Sequence, residues 1–351
     1  MFFKLFKNTF LGIDIGTTAI KIVELSKKAR GISMTSYGIL EKYGHLERVN
    51  DAVQTPNLKL LEDSTALLIT ELLKKSKIQT KEALIGLPNF LGFTTTIKMP
   101  NMSSRDLSKA IKYQAEQYIP MPLKETTLDW QILEEGPELK ILLIAVPTEH
   151  IKRYMKTAEL AKLNLLSLEL ESTAVSRLIG MKEKGSVLII DIGGRMTSIS
   201  VLNEGKLRYT SDLEIGGGDF TRVMANGLAI NPLRAEQLKK TYGLNLNFER
   251  GINLSNLLQP LLESIFREAE KAINTYYLNE KMKVEKVILI GGGANLIGFS
   301  DLCAQRLALP VAIGDPFSWG MIDFQAEITP IIRELAPILT PACAIGLKGL
   351  L

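Results

Sequence analysis

Apolar and polar positions follow the same order in two stretches of the chain. Residues 11–16 (LGIDIG) and 187–194 (VLIIDIGG) are short apolar runs that end in Asp-x-Gly. A second, more alternating stretch follows each run directly, at residues 19–25 and 197–202. This pattern predicts two β-hairpins whose turns carry an acidic residue and glycine. Such a duplication brings two aspartate side chains and two glycine-containing turns with exposed backbone within reach of one polyphosphate. It therefore predicts a nucleotide-binding cleft between the two hairpins.

The pattern between the hairpins predicts an α/β layer followed by an α+β insert. In the layer we expect a third strand at 32–40, a helix at 63–75 and a strand at 81–87. The insert is predicted at residues 86–168, with strands at 93–99, 126–133 and 140–146 and helices at 103–118 and 149–162. Ser103 or Ser104 can cap the first of these helices.

The second half of the chain repeats the order of the first half. The second hairpin is followed by predicted elements at 206–211 (strand), 216–218 (glycine turn), 261–278 (helix), 286–290 (strand), 291–293 (glycine turn) and 299–307 (helix). The tail at 341–350 has a helical composition, with small residues that allow close packing. Because no low-complexity linker separates the halves, we expect two lobes joined through a cleft.

The composition narrows the class of protein. The chain has 351 residues, of which 46% are hydrophobic and 23% charged, which indicates a folded protein long enough for two domains. The net charge of +4 is small and the lysines are dispersed, so a nucleic-acid surface is not expected. Cys303, Cys343, His45 and His150 form no ligand-spaced cluster, which argues against a disulfide scaffold or structural zinc and favours a reducing cytoplasm.

No apolar run approaches the ~20 residues that span a bilayer. Residues 1–7 (MFFKLFK) are too short, and too interrupted by lysine, for a signal peptide. One prediction for these residues is an extension that packs on the protein itself or on a partner. The other is a short amphipathic segment that binds a membrane surface.

The two hairpin turns carry residue types that suit a polyphosphate and its metal. Glycine lacks a Cβ, so backbone N–H groups beside it can approach phosphate oxygens closely. Asp14 and Asp191, at the strand ends, are candidate ligands of a hydrated Mg²⁺ ion, which prefers hard oxygen ligands. The candidate phosphate contacts are Gly16, Thr17, Thr18, Gly193 and Gly194. Either turn alone is a common structural feature, but two equivalent copies favour the functional interpretation.

Two further glycine turns are candidate cofactor contacts. A buried strand that runs into three glycines and then a helix fits a nucleoside or phosphate site at a helix N-terminus. It is not GxxxxGK[ST], so a P-loop is not supported. The candidates in these turns are Gly216, Gly217, Gly291, Gly292 and Gly293.

Taken in order, these motifs resemble the actin-like ATPase superfamily, which includes actin, Hsp70, sugar kinases and FtsA. Its phosphate 1, connect 1, phosphate 2, adenosine and connect 2 motifs can all be placed in this chain. The resemblance implies an α/β, two-lobed, ribonuclease H-like fold with ATP and Mg²⁺ in the cleft. It also implies catalytic carboxylates at Asp14, Asp191 and Glu171. For Glu171, the alternative is a carboxylate that the helix dipole favours.

The resemblance also implies nucleoside contacts at Glu268 and Lys271, and phosphate neutralisation by Lys21. A solvated i,i+3 pair is the alternative for Glu268 and Lys271. An exposed strand lysine is the alternative for Lys21.

The insert distinguishes families within the superfamily. FtsA and the PilM family of type IV pilus assembly proteins carry an SHS2-like α+β insert. Residues 21–25 (KIVEL), 83–88 and 111–120 (IKYQAEQYIP) resemble the PilM family, and the chain stops after connect 2, where FtsA adds a membrane-targeting helix. The expected domains are a first lobe at 1–85 completed by a helix at 336–351, an SHS2-like insert at 86–168 and a second lobe at 169–335.

The resemblance implies a cytoplasmic, ATP-binding scaffold or switch, peripheral at the inner-membrane platform of type IV pili or of type II secretion. The implied partner is the cytoplasmic N-terminal segment of the membrane protein PilN, in a groove between the first lobe and the insert. ATP hydrolysis and homo-oligomer formation stay open. The alternatives are an FtsA-like, filament-forming cell-division protein and a sugar or metabolite kinase, although residues 31–80 offer no distinct catalytic aspartate.

Overall fold

A computed structural model describes residues 8–29, 31–41, 61–244 and 254–351. The strands are β1 (Thr9–Ile15), β2 (Ala19–Lys28), β3 (Gly31–Glu41), β4 (Glu82–Leu87), β5 (Phe93–Pro100), β6 (Thr126–Glu134), β7 (Glu138–Pro147), β8 (Asn164–Leu170), β9 (Ser186–Ile192), β10 (Thr197–Asn203), β11 (Lys206–Leu213), β12 (Lys286–Ile290), β13 (Val311–Ile313) and β14 (Ile322–Asp323). The α-helices are α1 (Glu62–Lys75), α2 (Ser104–Tyr118), α3 (Thr148–Leu160), α4 (Glu171–Lys182), α5 (Gly217–Leu228), α6 (Pro232–Tyr242), α7 (Leu254–Glu280), α8 (Phe299–Leu307) and α9 (Ile332–Leu347).

The first sheet has six strands in the order β14-β3-β2-β1-β4-β8. β1 and β2 pair antiparallel, as the first hairpin predicts, and β4 lies parallel to β1 on its other side. Because side chains alternate along a strand, Leu11, Ile13 and Ile15 share one face of β1, where they are completely buried with α1 and α3. This sheet with α1 and α3 is called the first lobe below.

The opposite face of β1 is covered by α9. A Cβ placed on Gly12 would lie 2.0 Å from the carbonyl oxygen of Ala342 and 2.5 Å from the backbone nitrogen of Gly346. Only glycine allows the two backbones to approach so closely. The helical tail is thus confirmed, but α9 begins earlier than expected and runs through Pro337 and Pro341.

The second sheet has five strands in the order β11-β10-β9-β12-β13 and contains the second predicted hairpin, β9 with β10. Leu188, Ile190 and Ile192 on one face of β9 pack with apolar residues of α5, α7 and α8. Val187 and Ile189 on the other face share a core with α4 and α9. α4 and α9 therefore lie between the two sheets. The second sheet with α5–α8 is called the second lobe.

Between β4 and α3 the chain forms a three-stranded sheet, β5-β7-β6, that packs on α2. Ser103 caps α2 as predicted, because its hydroxyl accepts a hydrogen bond of 3.2 Å from the Asp106 backbone N–H. Leu107, Ile111 and Ala115 form the buried stripe of this helix. These four elements (β5, α2, β6 and β7) are called the insert.

Three segments pair differently from the sequence expectation. The stretch assigned to the insert, 86–168, includes α3, which packs on α1, and most of β8, which extends the first sheet beside β4. β14, from the stretch assigned to the second lobe, also joins the first sheet, beside β3. Two-residue pairing of this kind leaves no periodic signal in a sequence.

No α-helix within the described ranges is long and apolar enough to cross a membrane. The predictions for residues 1–7, and the position of His45, lie outside those ranges.

Candidate functional site

The turns of the two predicted hairpins face one another across the lobes. Asp14 is the penultimate residue of β1, and Asp191 is the penultimate residue of β9. The Gly16 N–H donates to Ala19 O and the Gly193 N–H to Met196 O, both at 2.9 Å, so the two turns have the same closing hydrogen bond.

The turns also touch each other. A Cβ on Gly194 would lie 2.0 Å from the Thr18 hydroxyl oxygen, so only a glycine fits between the lobes here. Thr17 and Thr18 are buried at this junction.

A single ammonium group lies among the carboxylates at the junction. Lys21 is the cross-strand partner of Asp14, and its Nζ donates to Asp14 Oδ2 at 2.8 Å. Burial lowers the pKa of Lys21, but attraction to Asp14, Asp191 and Glu171 outweighs burial and holds that pKa above its usual range. The lysine therefore stays charged here, and it is not an exposed strand residue.

The carboxyl groups near Lys21 can carry more negative charge than one ammonium group balances. Burial raises the pKa of Asp191 to about 7, with a further contribution from Asp14, although attraction to Lys21 opposes the shift. Burial and repulsion from Asp14 and Asp191 likewise raise the pKa of Glu171. One carboxylate oxygen of Glu171, Oε1, is buried without a hydrogen-bond partner. A cation bound here would stabilise the ionised forms of these carboxylates.

The donor set suits a hydrated hard cation better than a directly bound one. No group of three or more His, Cys, Asp or Glu side chains in the described ranges is arranged to hold a metal ion by itself. Mg²⁺ keeps several waters and is commonly held by one or two carboxylates together with phosphate oxygens. Asp14, Asp191 and the orphaned Glu171 oxygen fit that mode.

The glycine turn before α5 supports the second hairpin. The Gly217 N–H donates to Gly193 O at 2.9 Å and the Gly218 N–H to Gly194 O at 2.8 Å. The Gly216 N–H donates to Asp219 Oδ2 at 2.9 Å. The N–H groups of Gly216 and Gly217 thus have protein acceptors. Gly216 also allows close packing, because a Cβ there would lie 2.7 Å from the Arg195 backbone nitrogen.

The three glycines after β12 have separate environments. Gly291 has φ +79°, and a Cβ placed on it would lie only 2.3 Å from Asp191 Oδ1, so no side chain fits there. Its N–H donates to Pro337 O at 2.9 Å, a carbonyl that has no helical partner because Pro341 lacks an N–H. Gly292 is exposed, and a Cβ there would meet no atom within 4 Å. Gly293 packs on Ile192.

One pocket at the junction of the lobes is small. A cavity of about 10 Å³ is lined by Asn89, Glu171, Ser172, Asp191 and Ser198, together with residues of β9 and β12. This is about the space that one water molecule needs. This pocket alone would not hold a nucleotide triphosphate.

Comparison with known proteins agrees with this geometry. The family model described as type IV pilus assembly protein PilM matches residues 12–349. The chain belongs to this family. Among curated proteins it is similar to the cell division protein FtsA of Enterococcus hirae, with 24% identity over 92% of this chain and 84% of the relative.

Solved structures show the same fold. The PilM-PilN type IV pilus biogenesis complex has a TM-score of 0.82 at 22% identity and covers 97% of this chain and 98% of the matched one. Ethanolamine utilization protein EutJ from Carboxydothermus hydrogenoformans has a TM-score of 0.59 at 19% identity, with 96% and 88% coverage. The expected actin-like ATPase fold is therefore confirmed for this member of the PilM family.

The expected nucleoside pair, Glu268 and Lys271, lies away from the hairpin turns. The two side chains bind each other at 3.1 Å on α7, and Lys271 is largely exposed. Glu268 raises the pKa of Lys271, with a smaller effect of Tyr209 on β11. Tyr209 pairs with Val201, which pairs with Leu188, three residues before Asp191. Tyr209 is thus two strands away from β9. Along the strand direction it is offset from Asp191 by three residues, or roughly 10 Å at about 3.3 Å per residue.

A second pair of the same spacing contacts the glycine turn before α5. Lys239, on α6, is nearly buried, and its Nζ donates to Gly217 O and to the Thr221 hydroxyl, each at 2.8 Å. Glu236 accepts from the same ammonium group at 2.6 Å. Burial lowers the pKa of Lys239 although Glu236 opposes that shift.

Sequence reasoning missed the Glu236–Lys239 pair. The available signal was the Glu-x-x-Lys spacing on the second helix after the 216–218 glycine turn. That helix follows the phosphate hairpin closely, whereas α7 lies beyond a further connection.

Proposed function

We propose that this chain is an ATP-binding scaffold of type IV pilus assembly, whose lobes respond to Mg-ATP and whose insert takes part in binding a membrane protein. The observation that carries the proposal is the contact of Gly194 with Thr18, since it brings the Asp14 and Asp191 turns of opposite lobes to one place. Membership of the PilM family supports the pilus role.

The nucleotide would bind where the carboxylates, the lysine and the two turns meet. Lys21 would neutralise phosphate charge, and the backbone of Thr17, Thr18 and Gly194 would approach the phosphate oxygens. The N–H groups of Gly16 and Gly193 already donate within their own turns. Asp14, Asp191 and Glu171 would hold the ion through water, and Mg²⁺ would offset the negative charge of phosphates and carboxylates. The unpartnered Glu171 oxygen supports this fit.

The nucleoside would lie next to Gly292 and near Glu236 and Lys239. Gly292 is open to solvent on the glycine turn, and Lys239 reaches the carbonyl oxygen of Gly217 beside the second hairpin. We propose this pair in place of Glu268 and Lys271, since their contacts lie on the β11 side of the second lobe.

The partner would be the cytoplasmic N-terminal segment of a PilN-like membrane protein, bound between the first lobe and the insert. Support comes from the similarity to a structure described as a PilM-PilN complex. On the insert, α2 exposes Tyr113, 81% accessible, and Tyr118, which offer apolar contact to an extended peptide. Binding would keep the chain at the inner face of the membrane.

Calorimetry tests the proposal with Mg-ATP and a synthetic PilN N-terminal peptide, each alone and together. We expect Mg-ATP binding by the wild type, its loss in Asp14→Ala, and unchanged binding in the surface control Lys271→Ala. Peptide binding should persist in Asp14→Ala but lose its dependence on nucleotide. Absence of peptide binding in every nucleotide state would refute the scaffold role, and unchanged Mg-ATP affinity in Asp14→Ala would refute the cleft site.

A filament-forming role is the second candidate, because the E. hirae relative is the cell division protein FtsA. ATP-dependent sedimentation of the chain by itself would favour that role. A monomer with and without Mg-ATP would count against it.

A further inference from the structure

We propose that the insert is fastened to the second lobe by four charged side chains, so that these two parts move as one body when the cleft opens. The four are Glu134 and Lys140 of the insert and Arg208 and Glu280 of the second lobe, called the clasp below. The chain of the insert leaves from and returns to the first lobe, so its covalent connections alone would predict the opposite. The inference goes beyond the proposed function, because it concerns the chain without any ligand.

The first observation is that β7 is buried on both faces. Its Leu139, Ile141, Leu143 and Ala145 pack on α2. The alternate residue Leu142 is 2% exposed in a core shared with α4, with α9 and the first sheet, and with β10 and β11 of the second lobe. Ile144 packs against this core and against the first-lobe core. A strand covered on both sides is continuously apolar, as residues 141–146 are. One face of the insert is therefore already committed to the second lobe.

A β-bulge turns a second side chain toward the same core. β6 pairs with β7 in register up to Ile132, which lies opposite Ile141, and the register then shifts so that Glu134 lies opposite Lys140. The extra residue, Leu133, is completely buried in the core shared with the second lobe. Bulges re-aim side chains in this way. The Leu133 carbonyl also accepts a hydrogen bond from Nζ of Lys206, on β11.

The clasp lies at the rim of this apolar contact. Arg208 Nη1 pairs with Glu134 Oε1 at 2.7 Å, and Lys140 Nζ lies 3.8 Å from the same oxygen. Lys140 also forms an ion pair with Glu280, at the end of α7. The side chain of Arg208 is 4% exposed, that of Lys140 14% and that of Glu280 15%, whereas that of Glu134 is 52% exposed. Each part therefore contributes one positive and one negative side chain, and each charge faces an opposite charge on the other part.

Burial decides how much such a network matters. Exposed ion pairs contribute little, and the exposed pairs on α7 are of that kind. Removing one partner of a buried pair, in contrast, leaves a charge without water or counter-charge, which is strongly unfavourable. Separation of the insert from the second lobe would do this to Arg208, Lys140 and Glu280 together.

The contacts of the insert with the first lobe are closer to its covalent junctions. Leu91 and Val146, beside the entry and exit of the chain, pack in the first-lobe core. The hydroxyls of Thr127 and Thr148 are hydrogen-bonded at 3.0 Å where β7 passes into α3. Neighbouring junctions of this kind allow rotation about a hinge. A rotation that moves the second lobe away from the first would therefore bend these junctions and leave the clasp intact.

Paired spin labels on the unliganded chain test the inference. Labels at cysteines introduced for Gln117 on α2 and Lys283 in the second lobe report one distance, and Gln117 with Glu71 on α1 reports the other. The native Cys303 and Cys343 are buried. In the wild type we expect the insert–second lobe distance to be the narrower distribution.

Charge reversal then breaks the clasp. Lys140→Glu should add a separated insert–second lobe population that is larger by roughly a factor of ten, the change that about 1.4 kcal/mol produces. The double variant Lys140→Glu with Glu280→Lys should restore the narrow distribution. Arg306→Ala is the matched control, since Arg306 pairs with Glu263 and Glu270 within the second lobe alone.

Two results would overturn the inference. One is a wild-type insert–second lobe distribution broader than the insert–first lobe distribution. The other is an unchanged distribution in Lys140→Glu, with circular dichroism confirming the fold. The charge swap separates a broken clasp from misfolding, because a swap restores attraction while both residues remain substituted. Nucleotide and peptide are absent throughout, so these outcomes do not depend on the proposed function.

Discussion

Replacement of Asp191 by asparagine should stabilise the unliganded protein by an amount that grows as pH rises from about 4 to about 7. The pKa of Asp191 is raised from 3.8 to about 7, chiefly by burial. Between these two values the folded protein binds this proton and the unfolded chain releases it. The contribution of Asp191 to the free energy of unfolding therefore falls as pH rises from about 4 to about 7 and is then constant.

The magnitude follows from the size of the shift. At 1.36 kcal/mol per pKa unit, a shift of about 3 units corresponds to at most about 4 kcal/mol. Asp191 keeps partial contact with solvent, which reduces the penalty, so we expect about 2 kcal/mol. Asparagine has the same shape without the charge. The gain of Asp191→Asn over the wild type should therefore be near zero at pH 4 and reach its full value above pH 7.

Urea unfolding of the wild type and Asp191→Asn at acidic and mildly alkaline pH measures this difference. Asp129→Asn is the matched control, because Asp129 is an exposed carboxylate on β6. A gain of equal size at both pH values would refute the reasoning. So would a loss of stability at alkaline pH, since it would mean that the ionised carboxylate is stabilising in the absence of ligand.

Three further predictions concern glycine and lysine positions. Gly12→Ala should destabilise the fold strongly in thermal unfolding, because its Cβ would lie 2.0 Å from Ala342 O; a melting temperature equal to that of the wild type would contradict the close packing. Gly292→Ala should leave the melting temperature unchanged, since its Cβ meets nothing, but weaken Mg-ATP binding in calorimetry; wild-type affinity would remove this glycine from the site. Lys239→Met should weaken Mg-ATP binding while Lys271→Met does not, and the reverse order would restore the original nucleoside assignment.

The parts of the fold that local pattern determines were predictable. An apolar strand that ends in Asp-x-Gly specifies its own turn, so both hairpins could be located from residues 11–25 and 187–202 alone. The capping of α2 by Ser103 is likewise a local hydrogen bond. The pairing of Asp14 with Lys21 follows once the hairpin register is fixed, because the two residues lie opposite each other.

The parts that depend on distant partners were not predictable. The Glu236–Lys239 and Glu268–Lys271 pairs have the same spacing, and only the packing of α6 beside the glycine turn distinguishes them. Pro341 looks like a helix breaker, but α9 continues through it. The Pro337 carbonyl, which lacks a helical donor there, accepts a hydrogen bond from the N–H of Gly291, in a distant part of the chain. The bulge at Leu133 likewise places this side chain in a core that includes second-lobe residues, so the sequence of the insert alone does not predict the bulge.

The contact of Gly12 with α9 has a consequence for synthesis on the ribosome. Nearly the whole chain separates these two segments, and contacts so distant in sequence form slowly. While the chain emerges, the glycine face of β1 stays uncovered until α9 has been synthesised. A nascent first lobe would thus present an apolar sheet surface to chaperones until α9 covers it.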